Sequence, residues 1–422
     1  MVARIVAALR DLDPPAGGAE MSLATLLKGV CDAGPLAENA PNYQPLVEGP
    51  SNEGIDIEAG WQAFAFHTSN RGPSTDLTDG SSIIINTCNL KIEGLLSGAA
   101  WRLRDKKTGK PHLGLQRKHL LRRNKQFKRW ITPLLGEMKA EADAAGDPLV
   151  GVTQLDWAPG ASAAFRELSI PYVCFVRDEI QFRHPDLFRE CLESAAGVCC
   201  AGVGLIEQVR EKFAIKHGFH VPLPVDFAAR FGDAATVATQ REKGMAARAE
   251  ANDENTPRIA IVTPSPEKGL AFYHRLLPKL AEDWPEAIVE IYGGGGHVEA
   301  LSRHSNAECH GFTPIAEVFD HIDVHLLVFE STGSWGRVTN EGGLYGVPTV
   351  CVDLGAQPEA VGPGGINLSY DAPLEQWVAA LREVYGRRDE YGVAARKHAG
   401  VIDHRRSISM FRSAIHQVAE QN

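Results

Sequence analysis

The chain has 422 residues, of which 44% are hydrophobic and 23% charged, and its net charge is −10. That length exceeds one ordinary hydrophobic core, so two domains are expected. The acidic balance argues against generic nucleic-acid binding, and no apolar run reaches the roughly 18 residues that a membrane span requires.

The opening MVARIVAALRDLD carries a short apolar run followed by Asp11 and Asp13, and reads as a buried first strand, not a secretory signal. Pro14 and Pro15 stop that strand, Gly17 and Gly18 let the backbone turn, and a helix starts over Glu20–Leu27. A helix opened by a glycine pair suits a phosphate, and it equally suits a plain strand-to-helix turn. Residues 33–80 are rich in Gly, Pro, Asn and Ser and predict irregular loops.

Short apolar runs then recur with helical stretches between them. They are RIVAAL (4–9), SIIIN (82–86), LVGVTQL (149–155), YVCFV (172–176) and GVCCAGV (197–203), then RIAIVT (258–263), AIVEIYG (287–293), VHLLVF (324–329) and PTVCVDL (348–354). Each is apolar throughout rather than alternating, which is what a strand covered on both faces requires. The series occurs twice, so the fold class is α/β, with two doubly wound domains. The break falls around 222–257, where TQREKGMAARAEANDENTPR is strongly polar. Near the end, Ile408, Phe411, Ile415 and Val418 recur at helical spacing and predict an amphipathic helix that must dock. The eight cysteines show no C-x-x-C spacing and read as reduced thiols of a cytoplasmic protein.

One segment departs from the general acidity. Residues 101–130 hold twelve Lys and Arg against one acid, Asp105. Two readings stand: a solvated helical face, or a basic patch that meets an anionic acceptor or a membrane surface. A protein that stays soluble is preferred over peripheral membrane contact.

Ligands of doubly wound sheets bind beyond the carboxyl ends of the strands. After the strand ending at Thr263, two prolines shape a loop and Lys268-Gly269 opens a helix. A lysine there opposes the helix dipole, which makes sense beside an anion. After VHLLVF comes STGSWG, then the short helix RVTNEGGLYG closed by Gly346. Glu341, one to two turns in, is expected to face a cleft or the solvent. Gly342 and Gly343 weaken that helix, which a merely structural helix would avoid. No acidic cluster reads as a metal site.

Taken in order, these pieces resemble the retaining glycosyltransferases of family 4, which have the GT-B fold of two Rossmann-like domains facing a central cleft. PPAGGAEMSL resembles that family's N-terminal glycine loop, Glu267-Lys268-Gly269 its phosphate-binding lysine, IYGGGG its following glycine turn, and HGFTPIAEVF (310–319) its segment beside the nucleotide base. SWGRVTNEGGLYGVPTV resembles its signature helix and strand, and QPEAVGPGGI its closing glycine segment. The match is good over 1–30 and 147–370 and poor over 31–146.

The resemblance implies an N-terminal acceptor-side domain over 1–222, rejoined by a C-terminal helix at 405–422, and a nucleotide-sugar domain over 223–404. It implies that Glu341 holds the ribose hydroxyls and that Gly17, Gly18, Lys268 and the Gly336 backbone surround the diphosphate. Thr263, Phe312, Ser334, Trp335, Arg337 and Val338 fall on donor-binding positions, and Lys268 and Arg177 on catalytic ones. The donor is then a nucleotide sugar, with no cofactor and no metal. Three departures stand out. The first glutamate of the signature pair falls on Gly333, the phosphate-binding arginine on Thr263, and a customary histidine on Arg177. They leave two alternatives beside the transferase: a non-catalytic partner subunit, or an epimerase or sugar phosphorylase on the same fold.

Overall fold

The computed structural model describes residues 4–10, 18–31, 61–68, 83–88, 113–177, 180–266, 268–330 and 335–420. They form two compact units, one of residues up to Pro224 together with the segment from His404, the other spanning Val225–Asp403.

The first unit holds seven strands: β1 (Arg4–Arg10), β2 (Gln62–Thr68), β3 (Ile83–Cys88), β4 (Leu149–Gln154), β5 (Tyr172–Val176), β6 (Gly197–Cys200) and β7 (Gly218–His220). All pairings are parallel, in the order β3-β2-β1-β4-β5-β6-β7. Every residue of β4, β5 and β6 is buried, as their continuous apolarity predicts. One face packs on the helix Gly18–Cys31 through Leu23, Leu26 and Leu27, and on the helix His404–Glu420 through Ile408, Phe411, Ile415 and Val418. The rings of Phe411 and Phe175 stand 5.4 Å apart.

The second unit holds β8 (Arg258–Val262), β9 (Ile288–Tyr292), β10 (Ala307–Gly311), β11 (Val324–Leu327), β12 (Thr349–Val352) and β13 (Gly365–Leu368). These too are all parallel, in the order β10-β9-β8-β11-β12-β13. Its core runs from Ile259, Ile261, Val289 and Ile291 through Leu326 and Val350 to Phe272, Leu276, Leu280, Trp377 and Leu381 on the flanking helices.

One expectation needs correction, and one strand went unread. The stretch 33–80 is not wholly irregular, because QAFAFHT forms β2 and pairs along its length with both β1 and β3. Its alternation of small and large residues escapes a search for unbroken apolar runs. β10, with sequence AECHG, is equally unlike an apolar run, because it lies at a sheet edge and is half open to solvent. The polar stretch after 222, whose composition suits a connector or a surface helix, is largely helical, over Ala234–Glu250.

Candidate functional site

The strand order of the second sheet reverses between β8 and β11. At such a switch point the two following loops diverge and leave a crevice. The loop after β8 runs Thr263–Gly269 and the one after β11 leads from Val328 to Gly336. The end of the first meets the start of the second: a Cβ on Gly269 would lie 2.9 Å from Val328 Cβ and 3.0 Å from its carbonyl oxygen. Gly269 has φ +69°, so the approach and the backbone both require glycine there.

Thr263 also has a positive φ, +50°, a genuine outlier for a β-branched residue. It is held there by its own N–H, which donates to Tyr292 O at 2.6 Å. Its hydroxyl accepts from Lys268 Nζ at 3.2 Å. The helix Leu270–Asp283 starts immediately after, and Glu330 accepts a hydrogen bond from Ala271 N at 3.3 Å. A carboxylate thus sits at the positive end of this helix.

On the other side, Gly336 has φ +69°, and a Cβ there would lie 2.5 Å from Leu327 Cδ2. Trp335 is 1% exposed, and its indole N–H donates to Asn340 Oδ1 at 2.7 Å. Asn340 in turn donates to Ala360 O. Arg337 precedes the helix Val338–Leu344, whose first turn carries Glu341.

Of the two placements expected for Glu341, a cleft or the solvent, its 1% exposure rules out the solvent. Its Oε1 lies 3.0 Å from Arg337 Nε and 3.3 Å from Arg230 Nη1. Burial pushes its carboxyl pKa up, and the two guanidinium groups pull against that shift. Burial also lowers the pKa of Arg337. Arg230 comes from the helix Phe227–Phe231, which Asp226 caps by accepting from Ala229 N. The sequence reading missed it, and no local signal marks it. Arg337 was among the expected donor-binding positions, and its pairing with Glu341 follows from the four-residue spacing. The two glycines after Glu341 have a packing reason: a Cβ on Gly343 would lie 2.9 Å from Ala395 O, and one on Gly342 3.0 Å from the Phe319 ring.

Phe312 follows β10 and is 85% exposed, conspicuous for an aromatic side chain. Gly18 opens the helix Gly18–Cys31. Gly17, Ser334 and Gly333 lie outside the described residues. Arg177 ends β5 in the first unit, 8% exposed, with its guanidinium 4.3 Å from the Phe175 ring centroid.

The basic run is only partly a charged surface. Trp101 and the rest of 101–112 lie outside the described residues. From Leu113 the chain is one helix to Ala145, with Leu120, Phe127 and Ile131 in the core. Arg123 is buried, 3.1 Å from Asp156 and 4.4 Å from the Trp157 ring centroid. Lys128 pairs with Glu167 at 2.7 Å. Lys118, Arg122, Lys125 and Arg129 remain exposed, at spacings that place them on one helix face.

Among the described residues no group of three or more His, Cys, Asp or Glu side chains could hold a metal ion. None of the described helices is long and apolar enough to cross a membrane.

No protein-family model matches the chain, and no curated protein matches it in sequence. Solved structures do match in fold. HepE from Anabaena, solved with UDP and glucose, aligns with a TM-score of 0.62 at 13% identity, covering 98% of this chain and 100% of its own. Sucrose-phosphate synthase from Thermosynechococcus elongatus aligns at 0.62 and 12% identity, covering 98% of each chain. A UDP-forming trehalose-phosphate synthase from Burkholderia xenovorans aligns at 0.61 and 13%, covering 99% and 100%. The architecture is the GT-B fold.

Proposed function

We propose that the chain is a retaining glycosyltransferase of the family 4 type, moving a sugar from a nucleotide diphosphate sugar to an acceptor nucleophile. What supports this reading is that Lys268, bonded to Thr263, follows β8, while Gly336 and Glu341 follow β11, and these are the two strands at the switch point of one sheet. The GT-B neighbours that bind UDP or act as sugar-phosphate synthases support it.

In this scheme the donor lies on the second unit, the 223–404 domain, and the acceptor side on 1–222, which the helix at 405–422 rejoins. Glu341 accepts the ribose hydroxyls. Burial raises its pKa, and two nearby arginines oppose that shift in favour of the ionised, hydrogen-bond-accepting form. Lys268 meets the diphosphate, whose negative charge grows as the sugar departs, and the Gly336 and Val338 backbone contributes N–H groups there. Arg177 adds positive charge from the acceptor side. Phe312 lies beside the base. Gly17, Gly18 and Ser334 complete the diphosphate surround. Trp335 and Arg337 act through the loop and the glutamate they hold. The scheme uses no metal, and the acceptor is anionic in the version that employs the basic helix. The protein works in the cytoplasm.

Calorimetry with UDP-, GDP- and dTDP-sugars, followed by acceptor-dependent release of nucleotide, tests this reading. Donor binding without acceptor-dependent release would favour the non-catalytic partner subunit, which Gly333 and Thr263 motivate. Conversion of the donor sugar to its epimer without acceptor would point to an epimerase, and phosphate-dependent formation of a sugar 1-phosphate from a glycoside, with no nucleotide released, to a phosphorylase.

A further inference from the structure

Glu290 is the one acid inside an otherwise apolar strand, β9, and it is 1% exposed. Four groups converge on its carboxylate. Arg258 Nη1 of β8 lies 2.5 Å from Oε1. On Oε2, His321 Nε2 lies at 3.0 Å and His310 Nε2 at 3.2 Å, and the Tyr292 hydroxyl donates to it. His310 also stacks on Tyr292, with centroids 4.9 Å apart and planes at 20°.

His310 stands two residues before Phe312. The Phe312 ring lies against the glycine turn after β9, so closely that a Cβ on Gly294 would fall 2.2 Å from Phe312 Cε2. The turns after β9 and β10 are further joined by Gly293 N donating to Gly311 O at 2.6 Å. The ring of Phe312 is thus backed by glycine on one side and 85% exposed overall. The Glu290 cluster is linked to the backbone that carries it through His310, two residues earlier.

We propose that Glu290 is a positioning residue for the nucleobase: through His310 it fixes the Gly311–Phe312 turn, so that the Phe312 ring stands as a stacking platform beside Gly294. The proposal rests on the nucleotide-sugar reading. A planar base is the chemistry that an exposed, rigidly backed aromatic ring fits. Glu290 touches no substrate and acts only through His310 and the turn.

The test uses the full chain with 4-fluorophenylalanine placed at position 312. Its fluorine resonance is compared in the parent, Glu290→Gln and His310→Ala. His310 is 37% exposed, so its replacement keeps the test informative if Glu290→Gln fails to fold. Both variants are expected to move the resonance toward that of the free amino acid and to narrow it. An unchanged resonance in both overturns the proposal. Affinity for UDP, GDP, dTDP and inorganic pyrophosphate is then measured without the label. His310→Ala is expected to weaken the preferred nucleoside diphosphate about tenfold and to leave pyrophosphate unchanged. The same change in a Phe312→Ala background is expected to have no further effect. Equal losses in both backgrounds, or an equal loss for pyrophosphate, overturn the platform role. If the unaltered protein binds no nucleoside diphosphate, the nucleotide reading fails and the base role with it. The fluorine comparison then still separates that failure from a failure of the coupling between Glu290 and Phe312.

Discussion

Nη1 of Arg230 lies 3.3 Å from Oε1 of Glu341, the same oxygen that Nε of Arg337 approaches to 3.0 Å. One buried carboxylate is therefore shared by the residue just before its own helix and by an arginine far away in sequence. Burial still dominates, and the carboxyl pKa stays above its ordinary value.

A carboxyl raised in the folded chain binds its proton more tightly there than in the unfolded chain. Its charge subtracts stability as pH rises past the ordinary carboxylate value. Glu341→Gln is therefore expected to keep or raise Tm at pH 7. Nucleotide-sugar affinity is expected to fall about tenfold or more, since a charge-assisted bond contributes roughly 1.5–3 kcal/mol. Thermal unfolding and calorimetry on one preparation decide. A lower Tm with unchanged affinity would make Glu341 a structural residue.

Arg230→Ala removes one of the two cations that oppose the raised pKa of Glu341. The carboxyl should rise further, so the ionised form disappears at a higher pH as the solution is acidified. Donor affinity in this variant is expected to fall away at a higher pH than in the parent, and to approach it in alkaline solution. Parallel pH profiles would show that Arg230 does not tune Glu341.

Lys268→Ala should lower turnover more than donor binding, because charge on the leaving diphosphate grows only as the sugar departs. Steady-state kinetics beside direct donor titration give the comparison. Unchanged turnover at saturation with weakened binding would reduce Lys268 to a ground-state contact.

The Glu290 cluster predicts a pH window for stability. Burial by itself would raise the Glu290 carboxyl, but hydrogen bonds from His321, Tyr292 and Arg258 bring it down to about 2. Burial would lower His321, but Asp320 and Glu290 lift it to about 9. Glu308 pairs with Arg258, His310 faces Glu290, and Arg241 donates to Phe319 O close by. The lowered carboxyl stabilises the fold above its ordinary value of 4.5, and that share is lost as pH falls toward 2. The raised imidazole stabilises below its ordinary value of 6.5, and that share is lost as pH rises toward 9. Urea midpoints of the parent should fall between pH 6.5 and 9 more than those of His321→Gln. Identical pH dependence would contradict the pairing.

The basic helix separates into structure and surface. Arg123→Ala removes a buried cation 3.1 Å from buried Asp156, and is expected to destabilise by about 3 kcal/mol. Changing Lys118, Arg122, Lys125 and Arg129 together to Glu should leave Tm nearly unchanged, because all four are exposed. Sedimentation with anionic vesicles at low salt then reads the surface directly. With a soluble protein preferred, neither form is expected to sediment. Salt-sensitive binding lost on charge reversal would establish membrane contact instead.

What the sequence determined by itself was the part governed by local pattern. Unbroken apolar runs such as YVCFV and GVCCAGV mark strands covered on both faces, and Ile408, Phe411, Ile415 and Val418 mark a helix that must dock. The motif order placed Lys268 and Glu341 in one half of the chain. The tertiary structure decided what a pattern cannot carry. β2 alternates and β10 is polar because edge position and neighbours, not composition alone, determine what a strand must bury. Glu341 was legible as a residue of interest but not as a buried one, since its burial and its Arg230 partner arise from chain segments that meet only on folding. Glu290 reads in sequence as a polar interruption of a strand. Its role follows from Arg258, His310 and His321, which sheet pairing and loop return bring to it. Periodicity records which face of an element is apolar. Only folding determines which charges share a low-dielectric space, and there partner identity decides whether a buried carboxylate stays ionised.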